Sequence, residues 1–521
     1  MGDTTTKPTF NLWTEPWISL EQSDGQIVRL GIEQTLLRAQ DFRTIYDTSP
    51  LAVAGIHRLL TAVLQAAVQP KAKADLKRIW KAGCFSEDCI RAFGSQYAHR
   101  LDLFSEAEPF LQSADIPLQP EKKSAGKTVG YLTPDTPSGT AVTHYRHGGE
   151  DSHLYCPACL AGGLVAVPAF ATSGGAGIKP SINGVPPIYI LPGGESLFES
   201  LLSSILLPDY LPKIADRGQD MAWWAREPEI FRGSEVLRVG YLHSLTFPAR
   251  RVRLHPVPMQ VPCTRCGRQD QWGARDMVFE MGESRPKDAE TWFDPFAAYK
   301  MNKDKKYIPI RPTEGKATWR EFSSLFLQHK GSDVIRPGVL EQMAELAEDE
   351  IGPENGRRFF RCIGMRTDMK AKVFEWIDAG FDVPAEMLRD ENAGLVVDDA
   401  LAFANECERK VKFVYRLVFG GKSKKSERNL RIKNAMVEAF WSGLANPFRI
   451  FVSELGDPDQ EAAVYDAWLK TVVDQALVVF RSAVEQTGDD AEAMRLRIEG
   501  ERRCRIQLYG LLKQERKETD G

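Results

Sequence analysis

Two Cys-x-x-Cys pairs, Cys156-Pro157-Ala158-Cys159 and Cys263-Thr264-Arg265-Cys266, constrain this chain more than any other feature. About a hundred residues separate them, so only a folded core can bring them together. Four thiolates in two short knuckles suit one tetrahedral Zn²⁺, and four sulfurs close its shell, which makes the expected metal structural. Gly267 follows the second pair and fits a tight knuckle turn. The plain alternative is two unrelated reduced pairs. A redox role would call for a thioredoxin-like βαβ pattern, which the sequence does not show. Cys84, Cys89, Cys362, Cys407 and Cys504 share no spacing and read as core or surface thiols.

The chain has 521 residues, enough for two to four domains, and its 43% hydrophobic content can build real cores. Its start, Met1-Gly2-Asp3-Thr4-Thr5-Thr6, has no basic region followed by an apolar stretch. No apolar run is read as a membrane span. With cysteines in metal-like pairs, the expectation is a cytoplasmic protein with no membrane partner. The net charge of −4 does not advertise nucleic-acid binding. Basic clusters at Lys122, Lys123 and Lys127, at Arg250, Arg251 and Arg253, at Lys300, Lys303, Lys305 and Lys306, and from Lys422 to Lys433 read singly as solvated faces. Such patches bind phosphate where a partner offers it.

The opening, Phe10 to Leu20, reads as strand and loop, and Asp24-Gly25 supplies hairpin chemistry before Ile27-Val28-Arg29-Leu30. Ser49 and Pro50 predict a helix start, followed by an apolar face of Val53, Ile56, Leu60 and Leu64. From about residue 115 to 380 the pattern is irregular and rich in Gly and Pro, with short strands at 187–191 and 277–280 and a helical piece at 197–202. Beyond Pro384 long helical periods predict helices over roughly 388–420, 426–455, 458–487 and 490–514. Tyr465, Trp468, Val472, Ala476, Val479 and Ala483 form a bundle seam. The expected fold is α+β: a large irregular N-terminal α+β domain with a structural zinc site over 1–383, then an all-α four-helix bundle over 384–521.

In several segments the chain resembles the CasA family, the large subunit of the type I-E CRISPR surveillance complex Cascade. Asn11-Leu12-Trp13 with Pro16-Trp17-Ile18 is similar to the family's opening strand. Glu108-Pro109-Phe110-Leu111-Gln112 resembles its His-Pro-Phe-Leu/Met-Gln segment, with Glu108 in place of His. The cysteine pairs, the glycine loop between them and the helical C-terminus occur in the same order. The resemblance implies a non-catalytic subunit that recognises the protospacer-adjacent motif in duplex DNA and aids strand opening for crRNA pairing. It also implies other Cascade subunits, the crRNA 5′ handle, target double-stranded DNA and the system's helicase–nuclease as partners.

It further implies site residues. The family's glycine loop corresponds to Gly174, Gly175, Ala176 and Gly177 with Lys179 following; one family glycine is alanine here. Minimal side chains let backbone amides approach base edges, and Lys179 suits a phosphate. An ordinary surface loop is the reading without the resemblance. Tyr145, with Arg146 and His147, occupies the loop that engages the crRNA handle or an adjacent subunit. The strand-splitting wedge corresponds to Met369 and Lys370, where the family often has Gln. Lys422, Lys424, Lys425 and Arg428 are expected to hold DNA phosphates from a connection between helices. Two rivals stand beside this reading. A metal-dependent nuclease would use His144, His147, Asp151 and His153. A scaffold would contact protein alone.

Overall fold

Ser49 and Pro50 begin a buried helix that packs against four other helices and strands of two sheets. In the computed structural model the Ser49 hydroxyl accepts from the Ala52 amide at 3.5 Å, and Pro50 takes the first helical position, as the sequence predicts. The structure describes all residues except 1–6, 118–125, 134–152, 173–176, 213–219, 227–233, 329–330, 332, 348–350, 353–355, 368–372, 391, 420–426, 456–459, 489 and 520–521. The chain divides into two units. One comprises residues 1–312 and 333–380, the other 313–332 and 381–521.

Strands are β1 Ile18–Gln22, β2 Ile27–Leu30, β3 Phe42–Ile45, β4 Gly126–Thr128, β5 Tyr189–Pro192, β6 Arg250–Pro258, β7 Trp272–Met281, β8 Tyr299–Met301, β9 Tyr307–Pro309, β10 Val334–Ile335, β11 Arg357–Thr367 and β12 Val373–Pro384. They form small sheets in the orders β2-β1-β3, β4-β7-β6, β12-β11-β5 and β10-β8-β9. The expected first hairpin is present: Ile18 pairs with Leu30, and Gly25 turns the chain at φ 83°. Helices are α1 Ile32–Leu37, α2 Pro50–Val68, α3 Lys73–Ala82, α4 Glu87–Tyr97, α5 Pro157–Phe170, α6 Leu197–Leu202, α7 Tyr241–Leu245, α8 Phe322–Phe326, α9 Gly338–Leu346, α10 Ala393–Phe419, α11 Glu427–Glu454, α12 Glu461–Glu485 and α13 Ala491–Thr519.

α2 departs from its predicted one-sided face, because every residue from Pro50 to Gln65 is buried. By length and composition it is apolar enough to cross a bilayer, contrary to the sequence reading; its burial inside the protein accounts for that apolarity. It crosses α5 at Gly55, where a Cβ would stand 2.6 Å from the Val165 carbonyl oxygen. The same helix carries two polar groups into the core. Arg58 grips Asp294 with two bonds of 3.1 and 2.9 Å, and its guanidinium lies over the Tyr189 ring at 4.6 Å. His57 meets the Ser204 hydroxyl at 2.8 Å.

The segment around Pro109 is structural. Phe110 is buried, and Gln112 joins two elements by donating to the Leu103 carbonyl at 2.7 Å and accepting from the Leu254 amide of β6 at 2.8 Å. Glu108 accepts from Arg100 at 3.1 Å. The basic run on β6 is not the solvated face expected. Arg250 and Arg251 are buried. Arg251 pairs with Glu280 at 3.1 Å and with Asp115, while Arg250 donates to the carbonyls of Ala249 and Thr172. Thr172, Glu280 and Asp115 lie 29 to 136 residues away in sequence, where a charge count cannot see them.

In the second unit the C-terminal region is helical, and the long helices fall within a few residues of their predicted spans except at the start of α10 and the end of α13. All six seam residues of α12 are buried. The Trp468 ring lies 5.3 Å from Phe451 of α11, and its indole donates to the Ala400 carbonyl of α10 at 3.0 Å. Tyr465 donates to Glu515 of α13 at 2.8 Å.

Candidate functional site: a four-cysteine cluster at one end of a buried helix

The first knuckle is the start of α5. Cys156 is the residue before the helix, with extended φ and ψ of −72° and 164°, and Pro157 opens the first turn. Tyr155, one residue earlier, exchanges both backbone bonds with Ala274 of β7 at 3.0 Å, which fixes where the knuckle stands. The second knuckle lies in the connection between β6 and β7. There Cys263 donates to the Arg268 carbonyl at 2.7 Å, Gly267 donates back to the Cys263 carbonyl at 2.8 Å, and Gly267 has a φ of 73°. That left-handed φ favours glycine, as the sequence reading of the turn implied. Thr264 bonds Leu154 through its amide at 2.9 Å, tying one knuckle to the other.

The four sulfurs converge. Cys156 Sγ is 3.6 Å from Cys266 Sγ, Cys159 Sγ is 3.7 Å from Cys263 Sγ, and all four lie within 4.8 Å of one another. A disulfide would bring sulfurs to about 2.05 Å. A Zn²⁺ with bonds of about 2.3 Å places tetrahedral sulfurs about 3.8 Å apart. The spacing therefore fits a shared tetrahedral ion. Cys156, Cys159 and Cys263 are buried, and Cys266 is exposed.

The surroundings suit thiolates. The Cys156 amide donates to Cys263 Sγ at 3.3 Å. Arg265 donates to Cys159 Sγ at 3.7 Å and is held by Asp47 at 2.5 Å. Such partners orient metal ligands and offset their charge. Four thiols this close do not ionise independently. Hydrogen bonds from Cys156 and Cys159 hold Cys263 far below the ordinary thiol range and bring Cys266 down to about 6. Cys159 is pushed well up, first by its hydrogen bond with Cys156. A cation at the centre removes this conflict. Arg265 and Asp47 were not singled out from the sequence; the cation between the two cysteines of the second knuckle was the available signal.

In sequence the glycine loop follows α5. That helix is 14 residues long, so about 20 Å of buried helix separates the knuckle from Ala171 at its other end. Gly177 has a φ of 84° and open space where a side chain would go. The Lys179 amide donates to Met281 Sδ at 3.2 Å, and its ammonium pairs with Glu235. Arg428 is exposed at the start of α11 and donates to the Gln486 carbonyl at 2.7 Å, just past α12. Gly174, Gly175, Ala176, Tyr145, Arg146, His147, Met369, Lys370, Lys422, Lys424 and Lys425 lie outside the described residues, as do His144 and Asp151. His153 packs its ring 5.8 Å from that of Tyr155. Among the described residues, the four cysteines are the one group of side chains placed to share a metal ion.

A mixed α+β chain with a four-cysteine knuckle and a helical C-terminal region defines the class. The sequence model of the CRISPR-associated protein Cse1 family matches residues 11–479, and the chain belongs to that family. CRISPR-associated protein CasA/Cse1 of Thermus thermophilus is 29% identical, over 94% of this chain and 96% of that protein. The crystal structure of Thermus thermophilus CasA superposes with a TM-score of 0.78 at 25% identity, covering 96% of this chain and 99% of the other. Cse1 from Acidimicrobium ferrooxidans shares the fold with a TM-score of 0.78 at 23% identity, covering 98% and 99%.

Proposed function

We propose that this chain is the non-catalytic large subunit of a type I-E CRISPR surveillance complex in the cytoplasm. The family match across residues 11–479, with 96% of the chain aligned on a solved CasA, carries the reading. The subunit recognises a short motif in duplex DNA and aids opening of the adjacent base pairs for the crRNA. Base pairing then reads the rest of the target. Gly174, Gly175, Ala176 and Gly177 bring backbone amides to the minor groove, and Lys179 meets a phosphate once it exchanges Glu235 for it. Minor-groove readout is degenerate, so a relaxed motif preference follows. Met369 and Lys370 act as the wedge. Tyr145, Arg146 and His147 engage the crRNA handle or a neighbouring subunit. The C-terminal helices form a four-helix bundle, whose Lys422, Lys424, Lys425 and Arg428 hold DNA phosphates. The helicase–nuclease is recruited to the opened target.

The four cysteines hold one Zn²⁺, which cross-links the start of α5 to the β6–β7 connection. Its chemistry is structural, since four sulfurs fill the shell. This chain's own residues then keep α5 rigid, and α5 delivers the glycine loop from its other end. The test is binding of the assembled complex to duplexes with matched and scrambled motifs, scored for cleavage. Motif-dependent binding without cleavage supports the proposal. Metal-dependent cleavage by the subunit alone would support a nuclease, and neither behaviour would support a protein scaffold.

A further inference from the structure

Arg265 sits inside the second knuckle, yet it reaches the first. Its guanidinium donates to Cys159 Sγ at 3.7 Å, and the same fork donates to the two oxygens of Asp47 at 2.5 and 3.4 Å. Both side chains are largely buried, 13% and 21% exposed, so a long cation has given up its rotamer freedom to stand there. Asp47 lies in the corner between β3 and α2, and its Oδ1 also accepts from the Ser49 amide at 2.8 Å, beside the cap of α2. The line of bonds thus runs from a sulfur of α5, through a cation of the β6–β7 connection, to the start of α2. The next arginine of that connection points elsewhere. Arg268 pairs with Asp270 at 2.9 Å and donates to the Pro16 carbonyl at 2.9 Å.

We infer that Arg265 and Asp47 are the positioning pair of the metal site: Arg265 sets Cys159 in place against the second knuckle and eases its negative charge, and Asp47 keeps Arg265 there. The inference rests on the reading of the four cysteines as a zinc site. Four thiolates outweigh the charge of one Zn²⁺ by two, and three of the four cysteines are buried. Charge held away from water is costly unless donors or opposite charge meet it. Cys263 has such a donor in the Cys156 amide. Cys159 has its donor from a charged side chain, and a charge-assisted bond is the stronger kind. Because that side chain belongs to the other knuckle, it draws the two knuckles together whether or not the ion is present. Asp47 is itself negative, so what it adds is orientation and not field. It holds a flexible side chain with its fork turned to the sulfur, and it fastens the metal site to a third element, α2.

The test mixes the full chain, loaded with zinc, with an excess of the chromophoric chelator pyridylazoresorcinol and reads the rate of zinc transfer. Arg265→Gln should release zinc roughly tenfold faster or more, as loss of such a partner weakens metal sites. Arg265→Lys keeps the charge and should fall between variant and parent. Asp47→Ala should also quicken release, and adding it to Arg265→Gln should change little, because Asp47 acts through Arg265. Ser49→Ala is the control. It removes the cap of α2 without touching the pair or a sulfur, so its release should match the parent's. Cobalt-loaded protein supplies a readout that loss of stability does not move. The thiolate-to-cobalt charge-transfer band should shift to longer wavelength in Arg265→Gln, since a sulfur without its donor gives up electron density more readily, and should stay in place in Ser49→Ala. Parent-like release or an unshifted band in Arg265→Gln overturns the pair, and so does a Ser49→Ala variant that loosens the metal equally. If Arg265→Gln does not fold, Asp47→Ala decides, and parent-like release there overturns the pair as well. A parent that binds no metal defeats the zinc reading, whereas metal released alike by parent and variants removes only the positioning role.

Discussion

Cys156 Sγ and Cys266 Sγ stand 3.6 Å apart although 110 residues separate them in the chain. That distance is too long for a disulfide and right for two corners of a tetrahedron around zinc. One equivalent of zinc should therefore accompany protein purified without chelator. Cys263→Ser should lower metal content and melting temperature together, because metal binding and folding of such a site are coupled. Elemental analysis showing full zinc in that variant would remove Cys263 from the ligand set.

Gly177 offers a separation of fold from function. Its φ of 84° is one that L-residues avoid, yet nothing stands within 4 Å of the missing side chain. Gly177→Val should cost about 1–2 kcal/mol from backbone strain alone and leave the fold intact. Motif discrimination by the assembled complex should fall with it. Competition binding with matched and scrambled duplexes checks this, and equal discrimination in variant and parent would take Gly177 out of the recognition loop.

Arg428 is already engaged, which splits the expectation for the basic connection. Arg428→Gln alone should lower melting temperature slightly, through loss of its bond to the Gln486 carbonyl, and flatten the salt slope by no more than the roughly 0.9 of one phosphate contact. Replacing Lys422, Lys424 and Lys425 by Gln as well should flatten the slope of log affinity against log salt, by roughly 0.9 for each phosphate no longer neutralised. An unchanged slope in the quadruple variant would mark the cluster as solvated surface.

The parts that were legible in the sequence are those with local chemistry. The cap at Ser49, the turn at Gly25 and the paired cysteines each depend on neighbours a few residues away. So do the helical periods beyond Pro384, because one buried stripe against polar faces is a strong signal. α5 was not legible. It is buried on nearly every side, so its sequence has no stripe, and its glycines look like loop. The buried state of Arg250 and Arg251 was equally hidden, since Asp115 lies 136 residues from Arg251. Phe374 and Trp376 look like core in a sequence, yet β12 leaves them 53% and 47% exposed.

Arg58 and Asp294 form a buried ion pair in the larger unit, with side chains 2% and 0% exposed. Removing one partner leaves an uncompensated buried charge. Arg58→Met should destabilise by about 3–5 kcal/mol. Arg58→Met with Asp294→Leu should cost less than the two single changes added together. Urea denaturation of the three variants is the measurement, and strict additivity would mean the two residues are not coupled.

His57, next to Arg58, gives a pH dependence whose sign can be worked out. Burial first, and then the charges of Arg58 and Arg361, lower its pKa from 6.5 to about 3 in the folded protein. The unfolded chain therefore binds a proton between these values that the native state refuses. Stability from this group is fully present above pH 6.5 and is lost as pH falls toward 3, by about 1.4 kcal/mol for each pH unit. His57→Gln keeps a polar partner for Ser204 and removes the titration. Denaturant unfolding of parent and variant between pH 7 and 4 should show the parent losing more stability than the variant over that window. Carboxylates contribute to both proteins alike, so the difference isolates His57. Parallel curves would mean that His57 charges in place, with water reaching the bond to Ser204.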